Sequence, residues 1–267
     1  MNTGPWPSGY LLKALIGALA LLLSTGSRAY NVAMPQGSVP ASQQQALQHW
    51  QAVLQDFVND QGQVDFKGLQ AQPGDLNAYV AWVARYSPTS HPQLFDSRNK
   101  ALAYYLNSYN ALAMYNVLAD GLPESLSGLT KVNFFYFREL KVGGRWISLY
   151  DYENKVIRPL GDERVHFALN CMAAGCPHLP RRPFVADQIE AVLDHEAHMF
   201  FANRKNLEVD HQAKTVRISE ILDFYTEDFL ARAPSLIAYV NRYLDTPIPE
   251  DYRVEFIPYD WRVNRQS

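Results

Sequence analysis

The sequence predicts an α+β fold, a single domain with mixed helices around a small, mostly antiparallel sheet. Segments with apolar residues at helical spacing are separated by short strand-like runs, and the two kinds of element do not alternate strictly. No internal repeat is present, and strict alternation would be needed for a parallel doubly wound sheet. The hydrophobic content of 48% is that of a chain with a packed core.

The N-terminus has the features of a cleavable secretory signal peptide. Lys13 is followed by an apolar run of about ten residues, which is too short for a transmembrane helix of roughly 20 residues. Ser27 and Ala29 supply the small residues that signal peptidase recognises, so a signal peptide is predicted over residues 1–29. The mature protein is therefore expected in the periplasm or secreted, with no later span across a membrane.

The charge of the mature chain argues against a nucleic-acid partner. Removal of residues 1–29 takes away Lys13 and Arg28, which changes the formal charge from −3 to −5. A nucleic-acid surface usually needs a basic excess. Residues 30–42 are rich in Pro, Ser and Gln and predict a flexible lead. One globular domain is then expected over 43–267, with no cofactor indicated and the partner unknown.

The helices are predicted in order from apolar residues at helical spacing and from the residues that end each run. Gly62 ends the first helix, Pro88 follows the second and Pro159 stops a short one. The strongest pattern runs over 97–119. The predicted helices span 43–58, 75–86, 97–119, 150–157, 185–202, 220–230 and 235–244.

The strands are predicted from short runs rich in β-branched and aromatic residues. Gly143-Gly144 supplies the positive φ that a tight hairpin turn needs, so two strands are expected on either side of it. Pro258 suggests an edge or a bend in the last strand. The predicted strands lie within 64–66, 134–149, 164–169, 216–218 and 254–261.

Two Asn residues, Asn107 and Asn110, stand three apart inside the strongest predicted helix. A buried amide must be fully hydrogen-bonded, so both require partners. Either they hold the backbone of neighbouring loops or one of them lines a site.

The reactive side chains are concentrated between Arg164 and His178. A predicted buried strand delivers His166, Asn170 and Cys171, and a loop of small residues follows. A thiolate nucleophile needs a base or a cation nearby, and these residue types supply both. However, neither a strand nor a helix brings residues five apart into contact. Either a turn near Asn170 joins His166 to Cys171, or the base comes from elsewhere in the chain.

Cys171 and Cys176 also have a structural interpretation. Two nearby thiols in an oxidising compartment tend to form a disulfide, and closing so small a loop stabilises by about 2 kcal/mol. That role excludes Cys171 as a nucleophile. A redox-active pair is a third interpretation, although such pairs usually have two intervening residues. In the non-catalytic interpretation, the aromatic run 134–137 is a candidate partner-binding surface unless it lies in the core.

A second His cluster lies at Asp194-His195-Glu196-Ala197-His198. The zinc-protease pattern places the second His four residues after the first, and here the separation is three. With no obvious third ligand, a solvated helix face is expected and no metal is predicted.

The chain resembles the bacterial and plant family known as domain of unknown function 547 over roughly residues 95–267. The matching motifs are Leu106-Asn107-Ser108-Tyr109-Asn110-Ala111-Leu112, Gly143-Gly144, Ile157-Arg158-Pro159, Arg164-Val165-His166-Phe167-Ala168-Leu169-Asn170-Cys171 with Cys176-Pro177, Ile218-Ser219-Glu220-Ile221, Phe224-Tyr225 with Asp228-Phe229, and Tyr259-Asp260-Trp261 with Asn264. The chain departs from the family pattern at His178, His195 and His198.

The resemblance implies motif positions and no settled activity. Asn107, Asn110, His166, Cys171, Cys176 and Asp260 match positions of the family's motifs. The leading hypothesis is an exported thiol-dependent hydrolase or acyl transferase, papain-like or transglutaminase-like by analogy only. Its candidate catalytic residues are Cys171, His166, Asn110 and Asp260, and its candidate binding residues are Asn107, Asn170 and Arg164. The alternatives are a non-catalytic envelope protein with a structural disulfide and a thiol–disulfide exchange protein.

Overall fold

The structure is a computed structural model that describes residues 29–266, and the chain divides into two compact units. The larger unit runs to Leu193 and takes in the C-terminal segment from Asp260, and the smaller unit comprises Asp194–Tyr259. The predicted signal peptide, apart from Ala29, lies outside the described residues. Within residues 29–266, none of the helices has the length and apolar character needed to cross a membrane.

The larger unit is mainly helical. Its α-helices are α1 (Gln43–Phe57), α2 (Phe66–Ala71), α3 (Gly74–Val83), α4 (Arg98–Ala119), α5 (Gly128–Val132), α6 (Leu149–Tyr152) and α7 (Ile189–Ala202), which ends in the smaller unit. Short 3₁₀ helices occupy Pro92–Leu94, Arg158–Leu160, Glu163–Phe167 and Ala186–Gln188. Single π-helical turns occupy Asn133–Phe137 and Glu153–Ile157.

Helix α4 is buried along most of its length. Ser97 caps its first turn, because the Ser97 hydroxyl accepts a hydrogen bond from the Lys100 N–H at 3.2 Å. From Leu102 onward almost every side chain is buried, including Asn107, Asn110 and two further polar residues. The helix therefore packs on all of its faces, whereas the sequence pattern predicts one apolar stripe.

Each unit contains one small three-stranded sheet. In the larger unit, β1 (Tyr30–Asn31) runs parallel to β2 (Arg138–Val142), and β2 pairs antiparallel with β3 (Arg145–Ser148) across the predicted Gly143-Gly144 turn. In the smaller unit, β4 (Leu207–Asp210) pairs antiparallel with β5 (Thr215–Ser219), and β6 (Arg253–Ile257) runs parallel to β5. The α+β class is confirmed, although the strands form two mixed sheets instead of one mostly antiparallel sheet.

The smaller unit packs three short helices with its sheet, α8 (Ile221–Phe224), α9 (Thr226–Leu230) and α10 (Leu236–Asn241). Phe229 packs on Tyr239 with ring centroids 4.8 Å apart, and both rings are fully buried. These buried rings form the core of this unit.

The predicted strand over 164–169 is wrong, because Glu163–Phe167 forms a tight helical turn. Asp162 starts this turn by accepting a hydrogen bond from the Arg164 N–H at 3.3 Å. Val165, His166 and Phe167 are all buried, so the run shows no alternation of buried and exposed residues. A short run that is buried on all sides has the same apolar pattern in a strand and in a helix.

Two further strand predictions are corrected. Val64 makes only isolated bridges, and Phe66 begins α2. The aromatic run Asn133–Phe137 is a wide helical turn that precedes β2. Phe134 and Phe135 are fully buried within this turn, so they belong to the core and do not form a partner-binding surface.

The predicted flexible lead, residues 30–42, contributes β1 to the sheet of the larger unit. Val32 is buried, and the Tyr115 hydroxyl donates a hydrogen bond to the Ala33 carbonyl at 2.6 Å. The segment therefore contacts the helical core soon after residue 29.

Gly143→Ala should destabilise the protein more than Gly144→Ala. Both residues have positive φ, +55° and +87°, so a Cβ at either position is strained by roughly 1 kcal/mol. A Cβ at Gly143 would also collide with the side chain of Ser87, whereas nothing lies within 4 Å of a Cβ at Gly144. Overpacking typically adds about 1–3 kcal/mol. Urea unfolding midpoints measure the difference, and equal losses for the two variants would contradict the assigned contact.

Candidate functional site

The reactive residues lie on residues 170–177, here called the Cys loop, which follows the helical turn Glu163–Phe167. Met172, directly after Cys171, has a φ of +71°. A residue other than glycine rarely adopts this conformation, and such strain tends to occur at functional sites. The sharp change of chain direction places Cys171 and Cys176 beside each other.

Asn110 holds the entry to the Cys loop from inside α4. Its amide nitrogen donates to the Ala168 carbonyl at 3.0 Å, and its amide oxygen accepts from the Asn170 N–H at 2.7 Å. Asn170 closes the loop in a similar way, donating to the Pro177 carbonyl at 2.8 Å and accepting from the Met172 N–H at 2.8 Å. Both side chains therefore position loop backbone.

Asn107 likewise positions loop backbone, in this case at Phe184. Its amide nitrogen donates to the Phe184 carbonyl at 2.7 Å, and its oxygen accepts from the Phe184 N–H at 2.9 Å and from the Trp50 indole at 3.2 Å. These contacts favour the interpretation in which the Asn residues of α4 hold loop backbone.

The two cysteine sulfur atoms lie 2.9 Å apart and are not covalently bonded. The Cys171 N–H donates a hydrogen bond to the Cys176 sulfur at 3.1 Å. Cys171 is partly exposed, whereas Cys176 is buried, with 3% of its surface accessible. The pair is thus close enough to form a disulfide with a small movement, and Cys171 is the more accessible residue of the two.

The C-terminal segment, residues 260–266, pairs with the Cys loop through the backbone. The Gly175 N–H donates to the Asp260 carbonyl at 2.8 Å, and the Ala174 N–H donates to the Arg262 carbonyl at 2.7 Å. The Asn264 N–H donates to the Met172 carbonyl at 2.9 Å. Asp260 is therefore brought to the loop, but its carboxylate contacts the Arg262 guanidinium, with the closest approach 2.5 Å.

His166 and Arg164 belong to the turn before the loop. His166 is 3% exposed, so solvent barely reaches its ring. Arg164 lies in a charge cluster, with its guanidinium 2.8 Å from the Asp162 carboxylate and 2.5 Å from that of Glu190. Arg98 contacts the same Asp162 carboxylate at 3.1 Å. Arg164 therefore ties the turn to α7.

The charge cluster lowers the pKa of Asp162. Burial raises the pKa of this carboxyl, but the hydrogen bonds and positive charges of Arg164 and Arg98 outweigh burial. The pKa of Asp162 therefore lies below its ordinary value, and the carboxylate stays ionised at neutral pH.

A cleft of about 730 Å³ in the larger unit borders the Cys loop at Ala174. Its walls come from four separate stretches of chain. The lining residues are Gln63, Asp65, Phe66, Lys67, Val117, Leu122, Glu124, Ser125, Ala174, Arg262, Val263, Asn264, Arg265 and Gln266. Lys67, Arg262 and Arg265 belong to no local sequence motif, and only tertiary structure brings them together in this cleft.

The segment that carries both cysteines matches a known family. Residues 93–201 fit the model of the family described as "Protein of unknown function, DUF547". The chain carries a DUF547 domain. No curated protein and no solved structure gives a significant match.

The DUF547 segment contains Asn107, Asn110, Arg164, His166 and both cysteines of the Cys loop. It ends at residue 201, before Asp260, so the match supports the predicted family and leaves the C-terminal motifs of the resemblance outside it.

The second His cluster overlaps the end of the DUF547 segment and lies in the smaller unit. The His198 ring is hydrogen-bonded with the Tyr243 carbonyl at 3.1 Å, and Glu196 is buried. Within residues 29–266, no group of three His, Cys, Asp or Glu side chains is arranged to hold a metal ion.

Asn110→Asp should destabilise the DUF547 domain at neutral pH by about 2 kcal/mol. The new carboxylate can still accept from the Asn170 N–H, but its second oxygen would face the Ala168 carbonyl without a proton between them. Protonation restores that donor, so the loss relative to wild type should shrink as the pH falls from about 7 to 4.5.

Urea unfolding at several pH values measures this effect. Asn133→Asp is the matched control. Within residues 29–266 the Asn133 side chain acts solely as an acceptor, from the Tyr30 hydroxyl, and a carboxylate keeps that role. A loss for Asn110→Asp that did not change with pH would contradict the assigned contacts.

Asp162→Asn should lower the free energy of unfolding at pH 7 by about 1–3 kcal/mol, since it removes charged hydrogen bonds. A carboxyl with a lowered folded-state pKa stabilises above its unfolded pKa of about 3.9 and loses that stabilisation as the pH falls through the lower folded value. The difference from wild type should therefore diminish below about pH 4.

Asp151→Asn is the control for this variant, because Asp151 pairs with Lys155 at the surface, where a pair contributes about 0.3–0.5 kcal/mol. Equal losses for Asp162→Asn and Asp151→Asn at pH 7 would show that the charge cluster does not stabilise the turn.

Proposed function

We propose that the DUF547 domain is an exported thiol–disulfide exchange protein whose reacting groups are Cys171 and Cys176. The observation that carries the proposal is the 2.9 Å approach of their sulfur atoms on a loop in which Cys171 is partly exposed and Cys176 is buried. Export rests on the signal peptide predicted over residues 1–29 and on the oxidising compartment beyond the membrane, in which such pairs work.

The unequal exposure assigns a role to each cysteine. Exchange requires a sulfur that the substrate can reach, so Cys171 attacks or is attacked. Cys176 is the resolving sulfur, and it leaves when a substrate thiol attacks Cys171 of the oxidised pair. The Cys171 N–H stabilises negative charge on the Cys176 sulfur, which favours that departure and stabilises the reduced form.

The contacts support exchange better than acyl transfer. A Cys–His enzyme needs a third group to orient the histidine. Asn110 uses both ends of its amide on the backbone at Ala168 and Asn170, and the Asp260 carboxylate contacts Arg262. The two residues proposed for that orienting role therefore have other partners, although Cys171 and His166 remain candidates.

A purely structural disulfide is also supported less well. Closing a six-residue loop stabilises by only about 2 kcal/mol. The Cys loop is already held by Asn110, by Asn170 and by the backbone of residues 260–264. A covalent bridge would add little to the positioning of this loop.

A redox titration of the mature protein in glutathione buffers should give a midpoint above about −300 mV, the upper range of structural disulfides. The readout is alkylation followed by intact mass. With a small disulfide, Cys176→Ser should accumulate a mixed disulfide on Cys171, because the resolving sulfur is absent. Cys171→Ser should not, because Cys176 is buried.

Serine keeps the size of each side chain, so the two variants are matched controls for one another. A midpoint well below −300 mV together with no mixed disulfide would leave the structural disulfide as the better explanation. An ester- or amide-hydrolysing activity that Cys171→Ser abolishes and Cys176→Ser preserves would instead support acyl transfer.

A further inference from the structure

We propose that the cleft beside the Cys loop binds the substrate of the thiol pair, and that this substrate is a small anionic disulfide bound through Lys67. This inference rests on the proposed exchange function and names the substrate class for the same site.

The position and size of the cleft fit a small-molecule substrate. Ala174 is common to the cleft and the Cys loop, and it lies three residues after Cys171 and two before Cys176. Arg262 lines the cleft and pairs through its backbone with Ala174. A volume of about 730 Å³ falls in the range of ligand sites, roughly 300–1,000 Å³. A molecule in the cleft therefore contacts the loop that bears the reactive sulfur.

The charges of the cleft favour an anion. Lys67 is exposed and makes no ion pair within residues 29–266. The Arg262 side chain is 79% exposed at the cleft, although it pairs with Asp260. The lining carries three basic residues against two acidic ones, of which Glu124 pairs with Arg265 at 3.1 Å and Asp65 accepts from the Gly68 N–H at 2.9 Å. Lys67 is thus the cation that a ligand carboxylate would neutralise.

The remaining lining suits a molecule with an apolar middle. Phe66, Val117 and Val263 line the cleft and are buried. Leu122, on the wall, has a φ of +58°, a strained backbone conformation of the kind also found at Met172 beside Cys171. A molecule that combines carboxylates with an uncharged disulfide matches a lining that has both basic and apolar residues.

The reaction that follows is a two-step exchange. The Cys171 thiolate attacks one sulfur of the substrate disulfide, forming a mixed disulfide and releasing the first substrate thiolate. The Cys176 thiol then attacks the Cys171 sulfur, losing its proton and releasing the second thiolate. The protein pair is oxidised by two electrons to a disulfide, and the substrate disulfide is reduced by two electrons to two thiols.

Stopped-flow oxidation of the reduced protein tests the substrate class with two probes. Glutathione disulfide is anionic, and 2-hydroxyethyl disulfide is neutral with the same reacting bond. Lys67→Glu should lower the rate constant for glutathione disulfide about tenfold at low salt and leave that for the neutral probe unchanged. The effect should shrink at high salt, because salt screens the charges.

Lys155→Glu is the matched control, since Lys155 is an exposed lysine of the larger unit that does not line the cleft. It should change neither rate constant. If Lys67→Glu slowed both probes alike, or neither, or if wild type reacted equally fast with both, the substrate class would be wrong while the exchange function could stand.

Calorimetric titration of glutathione disulfide into the Cys171→Ser/Cys176→Ser double variant separates the cleft from the thiol chemistry. If the double variant binds glutathione disulfide and Lys67→Glu weakens that binding, the anionic site is supported. If, in addition, no disulfide oxidises the wild-type pair, the exchange function alone is contradicted. Absence of binding would overturn the assignment of the cleft.

Discussion

The candidate site depends on the requirement that polar groups buried with α4 be hydrogen-bonded. A helix that is buried on every face cannot leave an amide to water, so each amide takes a partner inside the protein. Asn107 bonds the backbone at Phe184, Asn110 bonds it at Ala168 and Asn170, and Asn116 bonds the Phe134 carbonyl and the Arg138 guanidinium. One helix thereby positions three separate stretches of chain, including the Cys loop.

The C-terminal segment of the larger unit also helps to position the Cys loop. Residues 260–266 pair with the Cys loop and also with Val64 and the segment around Leu126. Contacts between residues this distant in sequence have to form against a large loss of chain entropy, so they depend on the core being in place. The conformation of the Cys loop is therefore supported by contacts with a distant part of the chain.

The charge cluster of Arg98, Asp162, Arg164 and Glu190 stabilises the turn that precedes the loop. Arg98 lies in the first turn of α4 and Glu190 in that of α7, and the cluster joins the two turns around the Asp162 carboxylate, which is 5% exposed. A buried carboxylate requires such partners, because desolvation without compensation is costly. Amide contacts on one side and ion pairs on the other thus hold Glu163–Phe167 and His166 within it.

The local sequence patterns determined the helices with caps and apolar spacing, the Gly143-Gly144 hairpin, the α+β class and the segment that carries the cysteines. These features depend on neighbours within a few residues, so they can be read along the chain. The partners of Asn110, the approach of Asp260 to the Cys loop, the parallel pairing of β1 and the cleft around Lys67 were decided by tertiary structure. The run 164–169 shows why. Burial on all sides removes the alternation that distinguishes a strand from a helix, and the contacts that hold the turn, such as the ion pair of Asp162 with Arg164, form only in the folded protein.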